Sequence, residues 1–203
     1  RGLHLCRRAA RACVRCPQKI DTHIFLSWFD FPPSIGFNTI DRLADKLNIK
    51  VNKIKFKGLV GEGRRAAEKV ILLKPHTFMN NSGESIVEIL NFYKLKAEDL
   101  MVVVDDIDIE FAQLKIKKNG SAGTHNGLKS IVNLTGSKDF ARFKVGVGKK
   151  HPNEDLASFV LSSFPSKDKK HIEDAIDACA EAIIEAVDSG IDKSMNSYNN
   201  NIY

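Results

Sequence analysis

No apolar run in these 203 residues approaches the roughly 20 needed to cross a bilayer, so a helical membrane span is excluded. Cysteine is scarce: Cys6, Cys13 and Cys16 fall before residue 20, and Cys179 stands alone in the rest. A disulfide framework is therefore excluded, and a reducing cytosol fits. Cys13-Val-Arg-Cys16 has the spacing of a metal or redox pair. A zinc site needs a second pair, and only His4 and His23 lie nearby, without finger-like spacing. The cysteines are read as incidental, and no metal or cofactor is expected. Acid is absent from residues 1–20, which hold Arg1, Arg7, Arg8, Arg11, Arg15 and Lys19. The net charge of +6 resides there, leaving 25 basic and 25 acidic residues for the remainder. Bulk charge thus gives the body no affinity for nucleic acid; only clustered cations would.

What is present divides in two. Residues 1–33 form an atypical leader rich in Arg, Ala and Cys, whereas the body is rich in Lys and Asn. An Arg-rich, acid-free beginning suits a mitochondrial transit peptide, but only Thr22 and Ser27 supply hydroxyls before Ser34. A frame error or gene-model artefact is the preferred account of the leader. The leader is expected to pack poorly and to leave a buried sheet position vacant or badly filled. Residues 34–192 read as one domain, and residues 193–203 as a polar, disordered tail.

Within the body, Ile35, Ile40, Leu43, Ala44 and Leu47 recur at helical spacing, with Ser34 as N-cap. Val51, Ile54 and Phe56 suggest a short strand, with Gly58, Gly61 and Gly63 in turns after it. Lys69 to Lys74 and Leu100 to Val104 read as buried strands. Helices are expected from Ser82 or Ser85 to about Tyr93, from Gly127 to about Leu134, from Leu156 to Leu161, and from Ser166 to about Asp188, the last ended by Gly190. Leu114 and Ile116 alternate with Lys115 and Lys117 in a strand with a wet, cationic face. Phe143, Val145 and Val147 form one more strand. Strands alternating with helices predict an α/β fold, a single domain with a mixed, largely parallel twisted sheet flanked by helices.

Two strand-to-helix junctions carry the chemistry. One is Lys74 to Gly83, KPHTFMNNSG. The other runs from Val102 to Lys129, with Asp105, Asp106 and Asp108 where an apolar run stops, a loop of Asn119, Gly120 and Gly123, then Thr124-His125-Asn126-Gly127 opening a helix. Ligands bind at that end of open α/β sheets. Read as residues alone, each group also has a structural use: Asp105 and Asp106 as turn caps, Asn80 and Asn126 as helix caps, Phe78 as core, the lysines as a solvated strand face.

Both junctions resemble the signature segments of the bacterial-type peptidyl-tRNA hydrolase family: the K-P-x-T-[FY]-M-N-x-S-G box, a strand ending in D-D-x-D, and a glycine-rich loop ending in H-N-G-L-K-S-I. Asp139 to Gly148 resembles the next family segment. The resemblance covers about Ile35 to Gly190. It implies hydrolysis of the ester between peptide and tRNA by a general base acting on water, without a cofactor. It implies that Asp105 orients and stabilises the base, a histidine. Phe78 would stack on the terminal adenine, and Asn80 and Asn126 would lie near the ester and the tRNA 3′ end. Lys117 and Lys144 would hold a tRNA phosphate, in a cluster with Lys115, Lys118, Arg142, Lys149 and Lys150. Met79, His125 and Arg142 are further candidates. His76 occupies the variable position of its box.

The resemblance fails upstream of Ile35. Ile35-Gly36-Phe37 matches the end of the family's R-H-N-[IV]-G-F segment, but Pro32-Pro33-Ser34 stand where R-H-N would, and no G-N-P-G occurs. Pro33 thus replaces the catalytic histidine, and His23 is the nearest upstream histidine. The implied partner is peptidyl-tRNA, bound by its CCA end and phosphates, with a cytoplasmic, monomeric protein. A catalytically impaired tRNA-binding homologue is the alternative, and an unrelated α/β binding protein a third reading.

Overall fold

The computed structural model describes residues 22–26, 35–148, 168–199 and 201–203, with backbone alone for 22–26 and Met79. Pro33, Ser34, Cys13, Cys16, Lys149, Lys150 and the helix expected over 156–161 lie outside the described residues. Strand β1 (Thr22–Leu26) is followed by helix α1 (Ile35–Leu47), β2 (Lys53–Lys55), β3 (Gly58–Arg65) and β4 (Glu68–Pro75). Then come α2 (Ser82–Tyr93), β5 (Leu100–Asp106), β6 (Leu114–Lys117), α3 (Asn126–Thr135), β7 (Ala141–Gly146), α4 (Lys169–Ser189) and α5 (Ile191–Tyr198). The strands form one sheet of seven in the order β2-β3-β4-β1-β5-β7-β6.

The expected α/β class is found, and the parallel share is narrower than expected. The inner pairs β4–β1, β1–β5 and β5–β7 are parallel, while β2–β3, β3–β4 and β6–β7 are antiparallel. The parallel strands are the apolar ones. Val70 to Leu73 and Leu100 to Val104 are buried on both faces, because helices cover both. On one face α1 and α4 pack Ile40, Leu43, Ile172, Ile176 and Ile183 over Val70, Leu72, Val103 and Phe143. On the other, α2 and α3 pack Ile86, Ile89, Leu128 and Ile131 over Ile71, Leu73, Val102 and Val104. Each such side chain contributes about 1.5–3 kcal/mol relative to exposure. Cys179 belongs to the first layer, where burial pushes its thiol pKa up and keeps it protonated.

Three expectations are corrected. Of the expectation that a buried sheet position is vacant or badly filled, the first half is corrected: the backbone of Thr22–Leu26 takes the central position, with Thr22 opposite Lys69, Leu26 opposite Leu73 and Ile24 opposite Leu100, and the filling by its side chains lies outside the described residues. The glycines after residue 57 are not in turns. Gly58, Gly61 and Gly63 lie within β3, where a Cβ on Gly63 would come 2.5 Å from Ile49 Cγ1, so the small residue admits the Ile49 side chain. The turn is Phe56-Lys57, both with positive φ. The described residues of the polar tail, 193–199 and 201–203, are held in place as well. Asn199 accepts from the Ile116 N–H and donates to the Ile116 carbonyl, and the Tyr203 N–H donates to Ala112. Polar side chains here bind strand backbone, a pattern that hydrophobic periodicity does not register.

Among the described residues no helix is long and apolar enough to cross a membrane.

Candidate active site

The parallel strands β4, β5 and β7 end on the same side, so Pro75, Asp106 and Gly146 mark one rim of the sheet. The first turns of α2 and α3 rise from that rim. Gly83 joins them: its N–H donates to Ser130 Oγ at 3.1 Å, and a Cβ there would sit 2.5 Å from the Ser130 carbonyl oxygen. Only glycine lets the two helices approach this closely. The box residues 78–81, in the 3-10 turn entering α2, are thereby held beside the start of α3.

Neighbouring residues take the structural tasks that site candidates were given as alternatives. Asp106, not Asp105, closes the turn after β5: its Oδ1 accepts from the Asp108 N–H at 2.8 Å, and its Oδ2 pairs with Lys144 Nζ at 2.5 Å. Asp105 is half-buried one residue earlier, on the sheet face that α1 covers. His125, not Asn126, caps α3: the Leu128 N–H donates to His125 Nδ1 at 3.3 Å. Asn126 is exposed at the first turn, its Oδ1 accepting from Lys129 Nζ at 3.5 Å. Asn80 is exposed, and α2 has no side-chain cap. Phe78 is 82% exposed, which excludes the core reading.

The capping bond fixes the chemistry of His125. An accepting Nδ1 carries no proton, so the neutral ring holds its proton on Nε2 and acts there as a donor. Burial lowers the imidazole pKa; the charges of Asp105 and Asp106 oppose this, and Lys144 adds to the lowering. The ring thus belongs to the same electrostatic unit as both carboxylates. It is poorly suited to accept a proton, since Nδ1 is engaged and protonation is disfavoured.

The cationic cluster is smaller than its sequence suggests. Arg142 is 1% exposed, with its guanidinium 4.2 Å from the Phe140 ring centroid and Nη2 donating to the Lys138 carbonyl at 3.4 Å. Burial lowers its pKa. Arg142 therefore does not present charge to solvent, a correction to its grouping with the surface lysines. Lys118 pairs with Asp192, and Lys144 with Asp106. Lys115 and Lys117 are left exposed on β6, opposite Lys144 and Arg142. One contributor escaped the sequence reading. Lys74, buried at the end of β4, pairs with Asp41 at 2.5 Å and lies 4.9 Å from the Phe37 ring centroid, tying α1 to the box. Its signal was a lysine closing an apolar run.

Comparison with known proteins gives the family. Residues 32–203 match the peptidyl-tRNA hydrolase family. The chain is 55% identical over 164 residues to the peptidyl-tRNA hydrolase of Finegoldia magna, covering 81% of this chain and 86% of that protein. It is 49% identical over 166 residues to that of Clostridium perfringens strain SM101, covering 82% and 87%. The crystal structure of peptidyl-tRNA hydrolase from Acinetobacter baumannii superposes with a TM-score of 0.80 at 29% identity, covering 89% of this chain and 97% of that one. A 5′-methylthioadenosine/S-adenosylhomocysteine nucleosidase from Helicobacter pylori, at 6% identity and a TM-score of 0.54, shares the fold alone. On motifs, fold and these matches together, the chain belongs to the peptidyl-tRNA hydrolase family.

Proposed function

We propose that this chain binds peptidyl-tRNA in the cytoplasm, as a monomer, and that its site is built to hydrolyse the ester between peptide and ribose. The observation that carries this is the division of labour at the sheet rim. Asp106 and His125 do the structural work, leaving Asp105, Asn80 and Asn126 for substrate.

In the proposed reaction a base removes a proton from water, and the resulting hydroxide adds to the ester carbonyl. The tetrahedral oxyanion then collapses, expelling the ribose oxygen, which takes a proton. Asn80 and Asn126 hold the carbonyl and the attacking water, since an amide both donates and accepts. Asp105 is the carboxylate that would orient an imidazole base and stabilise it when protonated; at the position of that base this chain has Pro33. His125 Nε2–H is a fixed neutral donor beside the carboxylates. Phe78 offers an exposed face for the terminal adenine. Lys117 meets a phosphate directly; Lys144 does so only by sharing its bond with Asp106.

Pro33 favours a second reading, an impaired hydrolase that still binds tRNA. It stands at the position of the base and has no titratable side chain. Incubation with labelled N-acetyl-aminoacyl-tRNA separates the two. Ester cleavage that Asp105→Asn abolishes supports hydrolysis. Salt-sensitive binding without cleavage, unchanged by that substitution, supports the second reading.

A further inference from the structure

Strand β6 has four residues, ends the sheet order, and carries the exposed Lys115 and Lys117. Its other two residues, Leu114 and Ile116, belong to the buried layer under α4. The two lysines therefore share the opposite face. There they stand directly opposite Lys144 and Arg142 of β7. Like charges directly opposite destabilise a strand pair. Asp106 takes up the charge of Lys144, and Arg142 is stacked on Phe140. Lys115 and Lys117 have no ion pair among the described residues.

A short strand with such a face needs support on its outer side, and α5 with the residues after it supplies that support. Asp192, in the first turn of α5, pairs with Lys118 at 2.6 Å. Asn199, which ends α5, accepts from the Ile116 N–H at 2.5 Å and donates to the Ile116 carbonyl at 3.2 Å. The Leu114 N–H donates to the Asn201 carbonyl, and the Tyr203 N–H donates to the Ala112 carbonyl. These contacts form a strap antiparallel to β6. Asn199 is its central fastening. Ile116 lies between the two lysines, and bonding alternates along an antiparallel strand. Ile116 bonds outward to Asn199, so Lys115 and Lys117 bond inward to β7. Holding both polar groups of Ile116 therefore fixes the backbone from which both lysines project. One amide side chain does here what a neighbouring strand would do.

We infer that Asn199 is a positioning residue for RNA: it holds Lys115 and Lys117 side by side, against repulsion, in the arrangement that meets the phosphate backbone. The inference rests on the proposed function, in which Lys117 meets a phosphate. Cations gathered without counter-charge are unfavourable until a polyanion arrives. The strap moves that cost into folding, so the lysines need no ordering at the moment of binding. RNA and the strap then favour the same form of β6. By linkage each strengthens the other, although Asn199 lies on the outer edge of the strand and the lysines on its face.

The test uses a tRNA acceptor-stem duplex with its single-stranded CCA end and no ester, so that binding is read apart from cleavage. Asn199→Ala, at a temperature where it remains folded, should bind this RNA about tenfold more weakly. Its slope of log K against log salt should be shallower by about one to two units. In a Lys115→Gln/Lys117→Gln background the same substitution should cause no further loss. In wild-type protein the Ile116 amide, bonded to Asn199, should exchange more slowly once the duplex is bound, a readout that needs no variant. Wild-type affinity and slope in Asn199→Ala overturn the positioning role. An equal loss in the doubly substituted background also overturns it, since that marks a general loosening of the fold. Unchanged exchange at Ile116 on binding does the same. A duplex that binds the Lys115→Gln/Lys117→Gln protein as well as wild type overturns the inference and leaves tRNA binding standing. No binding by wild type overturns the proposed function as well.

Discussion

The Leu128 N–H donates to Nδ1 of His125, so the first turn of α3 is capped by a ring that also feels Asp105 and Asp106. Burial holds the folded-state pKa of that ring below its usual value. Between that pKa and the ordinary value of about 6.5, the unfolded chain binds a proton that the folded chain does not. This contribution to stability is complete above about pH 6.5 and lost as pH falls through the folded pKa. His125→Asn retains a cap without the titration. Urea midpoints at about pH 7.5 and about pH 5 should therefore fall further for wild type than for this variant.

Gly83→Ala should destabilise the protein by about 1–3 kcal/mol, because the new methyl meets the Ser130 carbonyl, a backbone atom that cannot swing aside. Adding Ser130→Ala should not restore stability, which distinguishes a backbone clash from a side-chain one. If α2 and α3 set the spacing between Asn80 and Asn126, substrate binding in the single variant should weaken at temperatures where it remains folded.

Asn199→Ala leaves both polar groups of Ile116 without their partner and should cost about 1–3 kcal/mol in thermal or urea unfolding. Asn199→Asp keeps the acceptor for the N–H but not the donor for the carbonyl, and should fall between wild type and alanine. Exchange at the Ile116 amide should quicken in the same order.

Pro33→His should raise cleavage of N-acetyl-aminoacyl-tRNA by roughly 10²–10⁴-fold if the site lacks only its base. Introducing Asp105→Asn as well should remove most of the gain. A rate indifferent to Pro33→His would mean that some other group already serves as base.

The sequence made the apolar elements visible. The helix over Ile35–Leu47 follows from its spacing, and β4, β5 and α4 from their runs and stripe. Asp105 and the His125-Asn126 pair were located by lying where an apolar run stops and a helix starts. Which neighbour does the structural work was not legible. Asp105 and Asp106 are the same residue type side by side, and only the Lys144 contact and the Asp108 turn separate them. Arg142 was misread because alternation places it opposite Lys117, while packing over Phe140 conceals it. Gly61 and Gly63 were misread because a glycine that opens a turn and one that admits a neighbour look alike in sequence. The final residues were missed because their contacts are distant backbone bonds.

The two margins of the sheet are unequal. Beyond β6 the chain's own last residues close the margin, with the Leu114 N–H donating to the Asn201 carbonyl and Gln113 bridged to Ile202. At β2, among the described residues, nothing does. A molecule with a single unsealed margin can meet a twin there once, and the pair then has no strand left to offer. Crowding such molecules should yield at most closed pairs, whereas trimming the last residues would restore the second margin and permit open-ended filaments.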